Sequence, residues 1–189
     1  MTLSWNEQPA DVAPAPLDDL LRPLSALDVL ALLSRARRSP IVIVNPACRR
    51  AILDHVEIER TELGGLLIGR AYWPSLDSAF RGGPVICVDE SLPSEQFRTT
   101  RVSLAMETEI WDRARIAMRE GGRMVVGWYH SHPDLGAFFS ATDRATQRAF
   151  FSQPYSLGLV VDPVRDEEAW FVGASSDPLR SEHVLRIAC

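Results

Sequence analysis

His130, His132, Ser140 and Asp143 fall within one short stretch, Gly127-Trp-Tyr-His-Ser-His-Pro-Asp-Leu-Gly-Ala-Phe-Phe-Ser-Ala-Thr-Asp143. Two imidazoles and a carboxylate are zinc-binding groups, and three protein ligands leave the fourth position of a tetrahedral ion open to water, as hydrolytic sites do. The surrounding elements would bring them together. Met124 to Tyr129 is an apolar run rich in β-branched and aromatic residues and reads as a buried strand. Side chains alternate along a strand, so His130 and His132, two apart near its end, point the same way. Pro133 has no N–H for the ladder and stops the strand, and Asp134-Leu-Gly136 supplies a turn. Ser140-Ala-Thr-Asp143 then opens a helix to about Ser152, with Ser140 as N-cap and Asp143 in the first turn. Asp143 thereby approaches the histidines from a helix N-terminus. A lone histidine is usually structural, and Ser-x-x-Asp before an apolar run is usually just a capping box. The combination, in a strand–loop–helix context, points to one zinc ion per chain with a catalytic water.

His-Ser-His-Pro followed after six residues by Ser-x-x-Asp resembles the motif of the JAMM (MPN-plus) metalloproteases. That family also carries an upstream glutamate before a glycine-containing strand, which Glu62-Leu-Gly-Gly-Leu-Leu-Ile-Gly69 matches. The resemblance covers roughly Ile41 to Gly173. It implies hydrolysis of the isopeptide or peptide bond after the C-terminal glycine of a ubiquitin-like protein, on a mixed β-sheet flanked by helices and similar to the cytidine-deaminase fold. It also implies roles. His130, His132 and Asp143 hold zinc. Glu62 is the general base that takes a proton from water and returns it to the departing amine. Ser140 hydrogen-bonds the oxyanion, a contact of about 2.7–4 kcal/mol in the transition state. Glu57 and Glu59 are nearby competitors for the base, but neither precedes the glycine strand. Expected partners are a ubiquitin-like protein and its conjugates. A short single-domain form is similar to the deconjugating components of bacterial operons that also encode activating and conjugating enzymes, several of which serve anti-phage defence. A peptidase that trims a sulfur-carrier protein to expose Gly-Gly would share the site, and a non-catalytic MPN scaffold would not need its ligands. A nucleobase deaminase is excluded by the lack of a Pro-Cys-x-x-Cys pair.

The chain of 189 residues suits one compact α/β domain with an extension. A net charge of −5 and no basic run across an aromatic face argue against a nucleic-acid partner. Neither a signal peptide nor a bilayer-length apolar stretch is legible, so the expectation is a cytoplasmic protein with no membrane partner. Cys48, Cys87 and Cys189 lack Cys-x-x-Cys spacing and indicate neither a disulfide framework nor a thiolate metal site, and Cys87 reads as a small core residue. All 20 basic residues are arginine. A GC-rich genome accounts for that, as would escape from lysine-directed conjugation.

Residues 1–16 read as a mobile tail and 17–39 as a helical extension to a domain over 40–189. Pro23 splits the extension into two helices, with a capping box at Ser25-Ala-Leu-Asp28; it either packs on the domain or docks a partner. Ile41–Val44 predicts a strand and Pro46 to about Glu59 a helix. Leu66–Ala71 and Val85–Val88 predict strands around a Tyr72–Pro84 loop, and Met106–Glu120 a helix ended by Gly121-Gly122. Leu157–Val161, Ala169–Gly173 and His183–Ile187 predict closing strands. His55 and His183 read as structural. Val85–Ser91 and Asp134–Phe139 are candidate walls for an extended substrate tail, unless Phe138 and Phe139 are core.

Overall fold

A computed structural model describes residues 13–35, 40–59, 61–74, 82–94, 98–100, 103–105, 108–119 and 121–187. In chain order these form β1 (Ala15–Pro16), α1 (Leu17–Leu21), α2 (Ala26–Arg35), β2 (Ile41–Val44), α3 (Pro46–Val56), β3 (Gly64–Trp73) and β4 (Val85–Pro93). There follow β5 (Arg98–Thr100), β6 (Ser103–Ala105), α4 (Thr108–Ala117), β7 (Met124–Ser131) and α5 (Ala141–Phe150). The chain closes with β8 (Leu157–Asp162), β9 (Glu167–Val172), β10 (Asp177–Leu179), a 3-10 turn at Ser181–His183 and β11 (Val184–Leu185).

One mixed sheet runs β10-β9-β8-β7-β3-β4-β2-β11. β7 is parallel to β8, with α5 in the crossover, and antiparallel to β3. Being covered by helices on both faces, β3 and β7 read as nearly continuous apolar runs rather than alternating ones. Leu66, Leu67 and Ile68 are fully buried, each contributing about 1.5–3 kcal/mol. On one face of the sheet Cys48, Ile52 and Val56 of α3 pack on Val44, Leu67 and Tyr129. On the other, Ile110 and Ala114 of α4 pack with Leu66, Ile68, Trp128 and Phe151. Leu17, Leu20 and Leu32 of the first two helices cover Ile43, Tyr72 and Cys87.

A bulge in β7 decides which residues face which helix. Leu67 pairs with Gly127 but Ile68 pairs with Val125, so Val126 is extra. Met124 and Val126 therefore share the α3 face with Tyr129, while Trp128 joins the α4 face; strict alternation would have kept 124, 126 and 128 together. Gly127 is required here by space, because a Cβ would lie 2.1 Å from the Leu157 carbonyl oxygen of the neighbouring strand.

Several expectations need adjustment. β4 continues past Val88 to Pro93, and Tyr72 and Trp73 belong to β3 rather than to the following loop, whose residues 75–81 lie outside the described set. The α4 helix begins at Thr108 and ends at Ala117; 106, 107 and 120 are not among the described residues. His183–Ile187 is not a strand throughout: His183 ends a 3-10 turn, and only Val184–Leu185 pair, in parallel with β2. Ala15–Pro16 pair in parallel with Tyr72–Trp73. The hairpin β5–β6 and β10 have no apolar alternation in sequence, and Pro178 inside β10 masks it as a strand. The break at Pro23 does give two helices, and Ser25 Oγ accepts the Asp28 N–H at 3.2 Å. No helix among the described residues is long and apolar enough to cross a membrane.

Candidate metal centre

β7 ends in Ser131, so His130 is its penultimate residue and His132 follows directly, held by its own N–H to the Val161 carbonyl at 2.9 Å. Their Nε2 atoms lie 3.1 Å apart in the interior. From α5, Asp143 places Oδ1 3.3 Å from His130 Nε2 and Oδ2 3.7 Å from His132 Nε2. Ligand atoms of a tetrahedral zinc with bonds near 2.0–2.1 Å are separated by roughly 3.3–3.4 Å, so the three groups stand close to the edge lengths such an ion needs. Two imidazole nitrogens facing each other can satisfy one another only if exactly one carries a proton, whereas a cation takes both lone pairs. The donor set fits zinc, and among the described residues it is the group of three or more His, Cys, Asp or Glu side chains able to hold a metal ion.

The sequence around Asp143 fixes its orientation locally. Ser140 Oγ accepts the Asp143 N–H at 3.2 Å, and Asp143 Oδ2 accepts the Ser140 N–H at 2.7 Å, a reciprocal capping box. Burial would raise the Asp143 carboxyl, but the bond and charge of His130 and then the bonds that its carboxylate accepts from the Ser140 hydroxyl and N–H outweigh it and bring its pKa to about 2. Burial, with His130 beside it, pushes the His132 imidazole down against the pull of Asp143 and Glu62. At neutral pH the site therefore offers a carboxylate and, at His132, a neutral imidazole, the forms that bind metal.

Glu62 comes from the segment entering β3. Its Oε1 lies 4.0 Å from His132 Nε2, and its side chain is a third exposed. Ser131, which the sequence reading passed over, holds this approach: its Oγ accepts the Leu63 N–H at 2.9 Å and its N–H donates to the Leu63 carbonyl at 2.8 Å. The residue between the two histidines thus anchors the residue after Glu62. Asp162 was also missed. Buried at the end of β8, its carboxylate accepts the N–H groups of Asp134, Gly136, Val164 and Arg165 at 2.7–3.2 Å. Burial raises this carboxyl, but those four N–H groups outweigh it and hold it below the usual range. They also fix the turn after His132, where Asp134 and Gly136 take positive φ. Neither residue has a local sequence signal, because its partners are distant in the chain.

The paired aromatics divide. Phe139 is buried and stacks on Phe171 at 4.0 Å, whereas Phe138 is half exposed with its ring 5.0 Å from that of His132. Of the expected tail walls, Val85–Val88 are interior and pair with β2; the end of β4 is the part near the site, with Ser94 donating to the Gly64 carbonyl at 2.9 Å. Glu57 and Glu59 lie beyond the end of α3, and Glu59 accepts the Thr61 hydroxyl. His55 meets Tyr129 on the other face of β7, and His183 lies 3.8 Å from Glu182, away from the centre.

Known proteins resemble this chain in sequence or in fold. Over 113 residues, 57% of this chain and 32% of the relative, it is 34% identical to COP9 signalosome complex subunit 5 of Drosophila melanogaster. Over 70 residues, 35% of this chain and 23% of the relative, it is 37% identical to ubiquitin carboxyl-terminal hydrolase RPN11 of Saccharomyces cerevisiae. The chain thus spans less than a third of the length of either relative. The solution structure of protein DSY2949 from Desulfitobacterium hafniense has the same fold, with a TM-score of 0.55 at 19% identity over 79% of this chain and 94% of that one. Residues 46–173, which contain the whole candidate centre, match the prokaryotic homologs of the JAB domain, and the chain belongs to that JAB/MPN family.

Proposed function

We propose that this chain is a zinc-dependent peptidase that cleaves the isopeptide or peptide bond after the C-terminal glycine of a ubiquitin-like protein. The observation that carries it is the convergence of His130, His132 and Asp143 with a fourth side chain, the acid Glu62, beside them. A scaffold would have no use for such a set. The relative named as a ubiquitin carboxyl-terminal hydrolase supports the substrate class.

His130, His132 and Asp143 would hold the ion. Bound zinc supplies Lewis acidity, which makes water nucleophilic near neutral pH and polarises a carbonyl. Glu62 takes the proton of the attacking water and delivers it to the leaving amine; its partial exposure suits a group that must meet both water and substrate. The Ser140 O–H, which bonds the Asp143 carboxylate in the resting site, would turn to the developing oxyanion. Phe138, exposed beside His132, forms an apolar wall for the narrow glycine tail. In its biological setting the enzyme serves as the cytoplasmic deconjugating component of a bacterial ubiquitin-like operon, with activating and conjugating enzymes as partners and anti-phage defence as one role; the neighbouring genes test that.

The deciding experiment presents a ubiquitin-like protein in two forms, joined to a lysine side chain and extended linearly, at matched concentrations, with cleavage followed by mass spectrometry. Cleavage of both, abolished by a chelator, is expected. Efficient linear cleavage with no isopeptide cleavage would instead assign a processing peptidase, such as one trimming a sulfur-carrier tail.

A further inference from the structure

The buried side of α5 is unusual for a helix that packs on a sheet: Asp143, Thr146 and Gln147 are all buried there, and Gln147 is fully so. A leucine or methionine would fill the Gln147 space without the cost of desolvating an amide, so the amide needs a reason. Its bonds supply one. Gln147 Oε1 accepts the Trp128 indole N–H at 2.6 Å, and the two N–H groups of Nε2 are shared among the carbonyls of Phe151, Ser156 and Gly173 at 3.2–3.3 Å. One side chain therefore ties α5 to β7 and to the segments bounding β8 and β9.

Both ends of the indole bond lead to proposed ligands. Gln147 is one helical turn after Asp143, on the same face of α5. Trp128 is two residues before His130 on β7, and its ring stacks on the His130 imidazole with centroids 4.6 Å apart and planes 8° from parallel. Phe151 stacks on the indole from α5's own end, with centroids 5.9 Å apart, so the indole is held by packing as well as by Gln147. The amide–indole bond fixes the roll of α5, and with it Asp143, against the ring plane of His130.

We propose that Gln147 is a positioning residue of the metal centre, acting through Trp128 to set the His130 imidazole at its distance from Asp143. This rests on the reading of His130, His132 and Asp143 as a zinc site. Metal ligands depend on such outer partners, whose loss typically weakens binding about 10–100-fold.

The test uses the full chain with zinc or cobalt(II) alone. Zinc affinity is measured by competition with a chromophoric chelator, ligand geometry by the visible spectrum of the cobalt form, and fold by thermal melting without metal. Trp128→Phe removes the indole N–H while leaving the amide's bonds to the carbonyls; Gln147→Leu removes both sets. Each is expected to weaken zinc binding about 10–100-fold and to change the cobalt spectrum. The double variant is expected to bind within about 3-fold of the weaker single, because both cut the same link. Should Gln147→Leu fail to fold, Trp128→Phe decides. A Trp128→Phe protein with parental zinc affinity and cobalt spectrum, or losses that simply multiply in the double variant, would overturn the proposal. A parent chain that binds no zinc would instead overturn the metal reading beneath it.

Discussion

β7 presents a histidine contact on each of its faces, and the two are built to different ends. On the α3 face Tyr129 Oη and His55 Nδ1 share a hydrogen bond at 2.9 Å; burial pushes the phenol up and the imidazole down, so both are neutral. That pair satisfies itself within an otherwise apolar layer. On the α5 face two imidazole nitrogens and a carboxylate converge at 3.1–3.7 Å from one another. The first arrangement is a hydrogen-bonded pair; the second is a set of donors suited to a cation. A histidine packed against the sheet therefore means little until its partners are known.

The contrast can be broken most severely at the ligands. His130→Ala should reduce bound zinc from about one per chain to near none and abolish cleavage with it, as elemental analysis and a cleavage assay would show. Retention of tightly held zinc would remove His130 from the centre. Glu62→Ala should lower kcat about 10²–10⁴-fold while zinc content and melting temperature stay near the parent's, because a general base beside the site is not a ligand. Undiminished turnover would shift the base to another acid.

Ser140→Ala separates catalysis from capping. Loss of an oxyanion donor should cost about 2.7–4 kcal/mol in the barrier, seen in kcat, against ~1 kcal/mol of stability for the lost cap. An activity loss no larger than the stability loss would reduce Ser140 to a cap. On the opposite face, Tyr129→Phe should cost about 1 kcal/mol in denaturant unfolding and leave zinc affinity unchanged. Weakened zinc binding there would mean that the faces are coupled.

The smallest effect is a pH dependence away from both faces. Burial raises the Glu168 carboxyl, but Arg186 and Arg49 outweigh it and lower the folded-state pKa. A depressed carboxylate contributes stability that is present above its unfolded pKa and lost as pH falls through the folded value. The stability difference between the parent and Glu168→Gln should therefore be present at pH 6, at under about 1 kcal/mol, and shrink as the pH falls below about 4. A difference independent of pH would assign Glu168 a packing role alone.

What the sequence determined by itself is the part of the centre whose physics is local. Alternation near the end of a strand, a proline stop and an N-cap three residues before Asp143 all act within a short window, so the approach of His130, His132 and Asp143 was readable without long-range contacts. The central strands were legible from apolar runs, since a strand covered on both faces must be apolar on both. Tertiary structure alone decided the rest. The bulge at Val126 sets the face on which Trp128 stands, Ser131 anchors the segment of Glu62, Asp162 gathers the turn after His132, and Gln147 joins α5 to β7. Each depends on partners brought together by folding, and a polar side chain far from its partner in sequence looks no different from one meant for water.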